Sequence, residues 1–128
     1  MSEANIRSIQ NITGKTYTNN VPGNAPVSHD NPGTLLTNSD ADKIYKINTI
    51  IVSSIGGGGS EVSVQVYNGS NSAYLIKEVY IPLGTAQVIS TKETYFYLRE
   101  NYEIRAARTL GGSMSMNASI IISYEIIS

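Results

Sequence analysis

The side chains best suited to acid–base or metal chemistry are few in this chain of 128 residues. His29 is the single histidine, and it lies in a segment rich in proline and asparagine. One histidine makes a metal site only with carboxylate or further histidine partners, and a Ser-His-Asp triad needs it held rigidly. We therefore expect His29 to be an ordinary surface residue.

The carboxylates form no recognisable catalytic or metal-binding motif. Asp40 and Asp42 have a spacing that can ligate calcium, but the glycine and the final glutamate of a calcium loop are missing. Glu93, Glu100 and Glu103 could be paired for glycoside hydrolysis, yet they fall at expected turns or exposed strand positions. We expect no catalytic residues, no bound metal and no cofactor, and hence no enzymatic activity.

Two further features have structural as well as functional interpretations. The run from Gly56 to Gly59 lacks the Lys-Ser/Thr of a phosphate loop and precedes a strand, so it predicts a hairpin connection. Tyrosines favour protein interfaces and sugar-binding faces, although cross-strand packing is the simpler explanation, and the chain has no tryptophan for stacking sugars. The tyrosines on predicted strands are Tyr67, Tyr74, Tyr80, Tyr95 and Tyr97.

The composition excludes several classes of protein. The net charge is −1 and only 15% of residues are charged, which argues against binding to nucleic acid or an anionic membrane. The absence of cysteine excludes disulfides and thiolate metal sites. No apolar run is long enough to span a bilayer, and Met1–Gln10 lacks the pattern of a secretory signal, so we expect synthesis in a cytoplasm.

Alternating apolar and polar residues predict strands along most of the chain. Residues 61–67 place Val62, Val64 and Val66 on one face, the period-two pattern of a half-buried strand. Further strands are expected at 44–54, 73–81, 86–90, 95–99, 102–108 and 114–127. These spacings predict an all-β fold, a single β-sandwich or jelly roll of about seven to eight antiparallel strands, over residues 34–128. The residues expected in its core are Val64, Ile104, Ile120 and Ile122.

The segment 1–33 contains three of the four prolines and few apolar residues. Such a segment favours extended conformations, and we expect an extended N-terminal arm that adds little to the core of its own domain. Ile6, Ile9 and Ile12, with Tyr17, are the candidate anchors on a neighbouring chain. The alternative that we keep open is a terminus with no binding role.

The longest predicted strands, 44–54 and 116–127, are apolar and poorly charged. As free edges they would aggregate, so we expect them to be central or covered by the arm or by another subunit. Ile121 and Ile127 fall on the polar face of the last strand and are further candidates for partner binding.

Four stretches carry a resemblance to a known family: KIYKINTIIV (43–52), VSVQVYN (62–68), YLRENYEIR (97–105) and ISYEIIS (122–128). Over about residues 34–128 the chain resembles small virion structural proteins of tailed phages, common in phages of cyanobacteria and other aquatic bacteria. Asn101-Tyr102 stands where Gly-Asp is common in that family. The resemblance implies a virion structural role and brings no catalytic residues.

Together these observations favour a capsid decoration (cement) protein that binds neighbouring capsid subunits. Its expected partners are the major capsid protein, other virion proteins and further copies of itself in a homo-oligomer such as a trimer, with neither nucleic acid nor membrane. Its expected location is the virion. Two alternatives are a neck, tail or fibre-adaptor component, and a carbohydrate- or receptor-binding β-sandwich module.

Overall fold

The computed structural model describes residues 11–23, 26–54, 59–108 and 118–128, which form nine strands and one short 3-10 helix at Lys92–Thr94. The strands are β1 (Ile12–Asn20), β2 (Gly33–Thr37), β3 (Ile44–Ser54), β4 (Ser60–Tyr67), β5 (Ser72–Ile81), β6 (Ala86–Ser90), β7 (Phe96–Leu98), β8 (Glu103–Arg108) and β9 (Ala118–Ile127). The predicted all-β fold is confirmed. Within the described ranges no helix has the length and hydrophobicity of a membrane span.

The strands pair into two antiparallel sheets. The first sheet has the order β1-β9-β3-β6, and β7 also pairs with β3. The second sheet has the order β2-β8-β4-β5. The last strand therefore lies between the first and the third, and the two sheets form the predicted β-sandwich.

The core is built by the inner faces of the alternating strands. Val62 and Val64 of β4 are fully buried, as expected for one face of a period-two strand. The four residues predicted to be in the core from the sequence are all buried: Val64, Ile104, Ile120 and Ile122. The remaining core residues come from both sheets and from the segment after β1, namely Ile47, Ile50, Val52, Ala118, Ala106, Leu36, Ile81, Leu98 and Val21.

A β-bulge in β3 changes which side chains face the core. Ile47 pairs with Tyr124 and Thr49 with Ser123, so Asn48 is an extra residue on the β3 side of the ladder. The Asn48 side-chain amide donates a hydrogen bond to Glu125 Oε1 at 3.2 Å. Strict alternation would separate Ile47 from Ile50, but the bulge allows both to be buried in the core.

The N-terminal segment was expected to be an extended arm that adds little to the core, yet its described residues form part of the first sheet. β1 pairs with β9 in unbroken register from Ile12–Ile127 to Asn20–Ser119, and Val21 is a core residue. β2 begins at Gly33, so a strand also crosses the predicted boundary after residue 33. The segment is extended, as its composition indicated, but its backbone satisfies the otherwise open edge of β9. Its described residues therefore belong to the sandwich, whereas residues 1–10 lie outside the described ranges.

Asn38 joins three chain segments from a fully buried position at the end of β2. Its side-chain amide donates to the carbonyl oxygens of Lys43 at 2.8 Å and Leu98 at 2.9 Å. Its backbone carbonyl accepts a hydrogen bond from the amide of Asn101 at 2.6 Å. Asn101 has φ of 69°, a left-handed conformation that asparagine tolerates better than most residues. This turn occupies the position where the resembled family commonly has glycine.

A loop between β1 and β2 covers part of the second sheet. Ser28 and Asn31 form an isolated bridge that closes the loop. The Tyr74 hydroxyl donates to the His29 carbonyl, and Lys77 Nζ lies 3.0 Å from Asp30 Oδ1. The hydrogen bond and charge of Asp30 raise the pKa of Lys77. The loop is therefore attached to β5 at His29 and at the next residue, Asp30.

We predict that Ile120→Ala destabilises the protein by about 2–5 kcal/mol, because it removes buried methyl groups from the inner face of β9. Ile121→Ala is the matched control, because the Ile121 side chain is the next along β9, points to the opposite face and is 41% exposed. Chemical denaturation of both variants measures the difference. Equal losses in the two variants would show that the face of β9 is reversed.

We also predict that deleting residues 1–21 lowers the melting temperature strongly or prevents folding. The deletion removes β1, exposes one edge of β9 and takes Val21 out of the core. Burial of one such side chain is worth roughly 1.5–3 kcal/mol before the lost strand pairing is counted. Thermal unfolding followed by circular dichroism measures the effect. An unchanged melting temperature would instead support the prediction from the sequence, an extended arm that adds little to the core.

Candidate interaction surface

The structure describes four of the six residues that the sequence suggested for partner binding. Ile12 and Ile127 are direct cross-strand partners, and Ile121 lies on the same face of β9 as Ile127. Tyr17 pairs with Ile122 on the inner face and packs against the core, so it lies on the opposite side of the sheet. Ile6 and Ile9 are outside the described residues.

An exposed apolar row crosses the outer face of the first sheet. Ile121 of β9 pairs with Ile51 of β3, and Ile51 pairs with Val88 of β6. Ile121 is 41% exposed, Val88 is 51% exposed and Ile51 is half-buried. We name these three residues the outer apolar surface. Ile12 is 57% exposed but lies apart from them, because its partner on β9 is Ile127, roughly 20 Å along the strand from Ile121.

Ile127 does not contribute to this exposed surface. It pairs with Ile12 on one side and with Ile44 of β3 on the other, but only 6% of it is exposed. Ile44 is also buried, although its position before the bulge places it on the outer face of β3. These two residues therefore stabilise the sheet, and Ile127 is not available to a partner in this structure.

Two hydrogen-bonded pairs of polar side chains flank the outer apolar surface. Ser53 Oγ and Ser119 Oγ lie 2.9 Å apart on one side of the row. On the other side Glu125 Oε1 accepts a hydrogen bond from the Asn48 side-chain amide at 3.2 Å. Paired polar groups beside an exposed apolar row resemble the rim of a protein interface.

β1 provides a second feature of the same sheet. It pairs only with β9 among the described strands, so its other backbone edge faces outward over nine residues. Lys15 is its single charged residue, and the register contains no bulge. Edge strands usually carry charges, prolines or bulges that prevent strand addition. As far as the described residues extend, this edge is weakly protected, and it is suited to pairing with another chain.

Two of the apolar residues were missed in the sequence analysis, namely Ile51 and Val88. A signal for Ile51 was present, because a run of three aliphatic residues in a strand must place its middle member on the face opposite the other two. The run Ile50–Val52 has this form. Val88 had no comparable signal, since its place beside Ile51 depends on the pairing of β3 with β6.

The five strand tyrosines do not lie on one surface, because Tyr95 and Tyr97 contact each other edge to face beside the first sheet, whereas the other three belong to β4 and β5. Tyr67 is covered by the Arg105 guanidinium at 3.8 Å from the ring centroid, and Lys46 Nζ lies 4.4 Å from the Tyr95 ring. The Tyr74 hydroxyl is bonded to the loop at His29. Tyr80 is exposed on β5 of the second sheet, whereas Tyr95 precedes β7 of the first.

Several carboxylates have structural partners. Asp40 Oδ1 accepts the Asp42 amide hydrogen at 2.9 Å, which closes a turn before β3. Burial would raise the pKa of Glu103, but hydrogen bonds donated by Arg105 and Thr34 outweigh it and lower that pKa. Glu61 and Glu78 lie close to His29 in a further group, which sequence spacing could not show because these residues come from separate elements.

Comparison with known proteins establishes similarity of fold alone. No family description matches this sequence, and no curated protein is significantly similar to it. A structure titled "Bacillus endospore appendages form a novel family of disulfide-linked pili" aligns with a TM-score of 0.53 at 11% identity, covering 91% of this chain and 88% of that one. A chain in the structure of infectious bursal disease virus Gx strain aligns with a TM-score of 0.47 at 14% identity. That alignment covers 94% of this chain and 34% of the viral one.

Proposed function

We propose that this chain is a non-enzymatic structural subunit that packs against neighbouring protein subunits through the first sheet. The observation that carries the proposal is the outer apolar surface, together with the weakly protected β1 edge on the same sheet. A partner that covers Ile121, Ile51 and Val88 removes apolar area from water. A strand added beside β1 supplies backbone hydrogen bonds and fixes the orientation of the two subunits.

The strand order supports a viral version of this function. Without β7, the orders β1-β9-β3-β6 and β2-β8-β4-β5 match two four-stranded sheets of an eight-stranded jelly roll. Jelly rolls are frequent in viral capsid and lectin domains, although a fold by itself does not define a function. The sequence resemblance to tailed-phage virion proteins points in the same direction. We therefore propose a capsid decoration protein of a tailed phage, located in the virion and bound to the major capsid protein.

The proposed association is non-covalent. The chain has no cysteine, so it cannot form the disulfide links named for the pili of the similar structure. Apolar burial and β-pairing must then hold the subunits together. Self-association into a closed trimer would need β1 or the outer apolar surface of one copy to contact a different surface on the next, since only a two-fold contact joins identical surfaces.

We predict that Val88→Lys combined with Ile121→Lys abolishes association and leaves folding intact. Both side chains are exposed, so a lysine can remain hydrated in the free subunit but becomes an unpaired charge when a partner covers it. Leu83→Lys is the matched control, because Leu83 is 52% exposed and lies in the turn after β5. Light scattering at tens of micromolar, and binding to capsids of the phage that encodes the chain, provide the two measurements.

Association that survives the double substitution would contradict the proposed surface.

Quantitative mass spectrometry of the virion tests the proposed location. A decoration protein is present at a stoichiometry comparable with that of the major capsid protein. A much lower stoichiometry would favour the neck, tail or fibre-adaptor alternative, and absence from the virion would overturn a virion role.

A further inference from the structure

His29, Glu61 and Glu78 meet on the outer side of the second sheet, away from the proposed interaction surface. One ligating atom from each residue lies within 4.8 Å of the other two. His29 comes from the loop between β1 and β2, Glu61 from β4 and Glu78 from β5. The group thus brings an imidazole and two carboxylates together from three separate elements.

Ser63 positions two members of this group. Its side chain is fully buried, and its hydroxyl oxygen accepts the Glu78 amide hydrogen at 2.9 Å. The same oxygen is hydrogen-bonded to His29 Nδ1 at 2.6 Å. The pairing of β4 with β5 shifts register between Val62 and Val64, and Glu78 has φ of 53°, a conformation that L side chains rarely adopt. The bulged backbone of β5 is therefore bonded directly to the hydroxyl that also orients the histidine ring.

The loop that carries His29 is fastened independently of the histidine side chain. The Tyr74 hydroxyl donates to the His29 backbone carbonyl, and the next residue, Asp30, forms an ion pair with Lys77. The Ser28–Asn31 bridge closes the loop around both contacts. His29 is thus held in place before any ligand binds, which lowers the entropy cost of collecting the three side chains.

We propose that His29, Glu61 and Glu78 bind a divalent cation of the zinc class. An imidazole nitrogen with two carboxylate oxygens suits zinc and similar transition metals, whereas calcium and magnesium prefer oxygen ligands alone. Because Nδ1 is bonded to Ser63, we assign Nε2 to the cation, an arrangement in which a hydrogen bond fixes the orientation of a metal-binding histidine. The cation also compensates the repulsion between the two carboxylates.

A cation at this position cross-links the β1–β2 loop to both strands of the β4–β5 pair. This role does not depend on the proposed assembly function, because none of the three ligands belongs to the first sheet. Because the cation binds the folded chain and joins three of its elements, its binding raises the free energy of unfolding.

The test uses the full chain without an affinity tag, treated with EDTA and then titrated with zinc chloride. We expect zinc to raise the melting temperature and to bind with an affinity measurable by calorimetry, while calcium and magnesium have little effect. His29→Gln, Glu61→Gln and Glu78→Gln should each weaken zinc binding about tenfold or more, because each removes one of three ligands. Ser63→Ala should weaken it by roughly 10–100-fold, the range for partners that orient a ligand.

Glu93→Gln is the matched control, since Glu93 is an exposed carboxylate on the 3-10 helix near the first sheet. It should bind zinc like the unaltered chain. Circular dichroism in EDTA shows whether each variant is folded without metal, so that lost binding is separated from lost structure. Two results would overturn the proposal: zinc that does not bind the unaltered chain at submillimolar concentration, or zinc affinity that folded His29→Gln and Glu78→Gln variants retain.

Discussion

The pairing of β3 with β9 is the interaction on which the rest of the sandwich depends. β9 holds β1 on its other edge, and β3 holds both β6 and β7, so every strand of the first sheet is attached through this pair. The inner faces of the two strands also supply a large share of the apolar layer that packs against β4 and β8. Because both strands are flanked on each side, their apolar sequences are protected from the aggregation that such strands would cause at an edge.

The amphipathic part of the fold could be predicted from local pattern. The predicted bounds of β3 agree with the structure at both ends, and those of β4, β5 and β8 agree to within one residue. Alternation of apolar and polar residues predicts these strands because one face of each strand is buried. β1 and β2 were missed for the opposite reason. β1 contains mostly threonine, asparagine and other polar residues, and it is an edge strand with little to bury. Its presence is determined by the open backbone of β9, which no local pattern in residues 12–20 encodes.

To predict the functional features one needs the register of the paired strands as well as the sequence pattern of each strand. Alternation correctly placed Ile121 on the outer face, but it also suggested Ile127, which the flanking Ile12 and Ile44 help to bury. His29 was expected to be an ordinary surface residue because its sequence neighbours offer no ligand set. Glu61 and Glu78 approach it only after the loop has folded over β4 and β5. Groups assembled from loops and bulges in this way are governed by tertiary contacts, which a single sequence does not display.

The position of β9 in the first sheet has a consequence for the kinetics of folding. Ile12 pairs with Ile127, so almost the whole described chain lies between the two partners of this ladder. Folds dominated by such distant pairings close slowly, typically in roughly milliseconds to seconds. During synthesis on the ribosome the pairing of β3 is delayed further, because β3 is made well before β9, the strand that pairs with it along most of its length. Until β9 has emerged, the apolar residues of β3 lack their main partner, and the unfinished chain is most prone to aggregate in this interval.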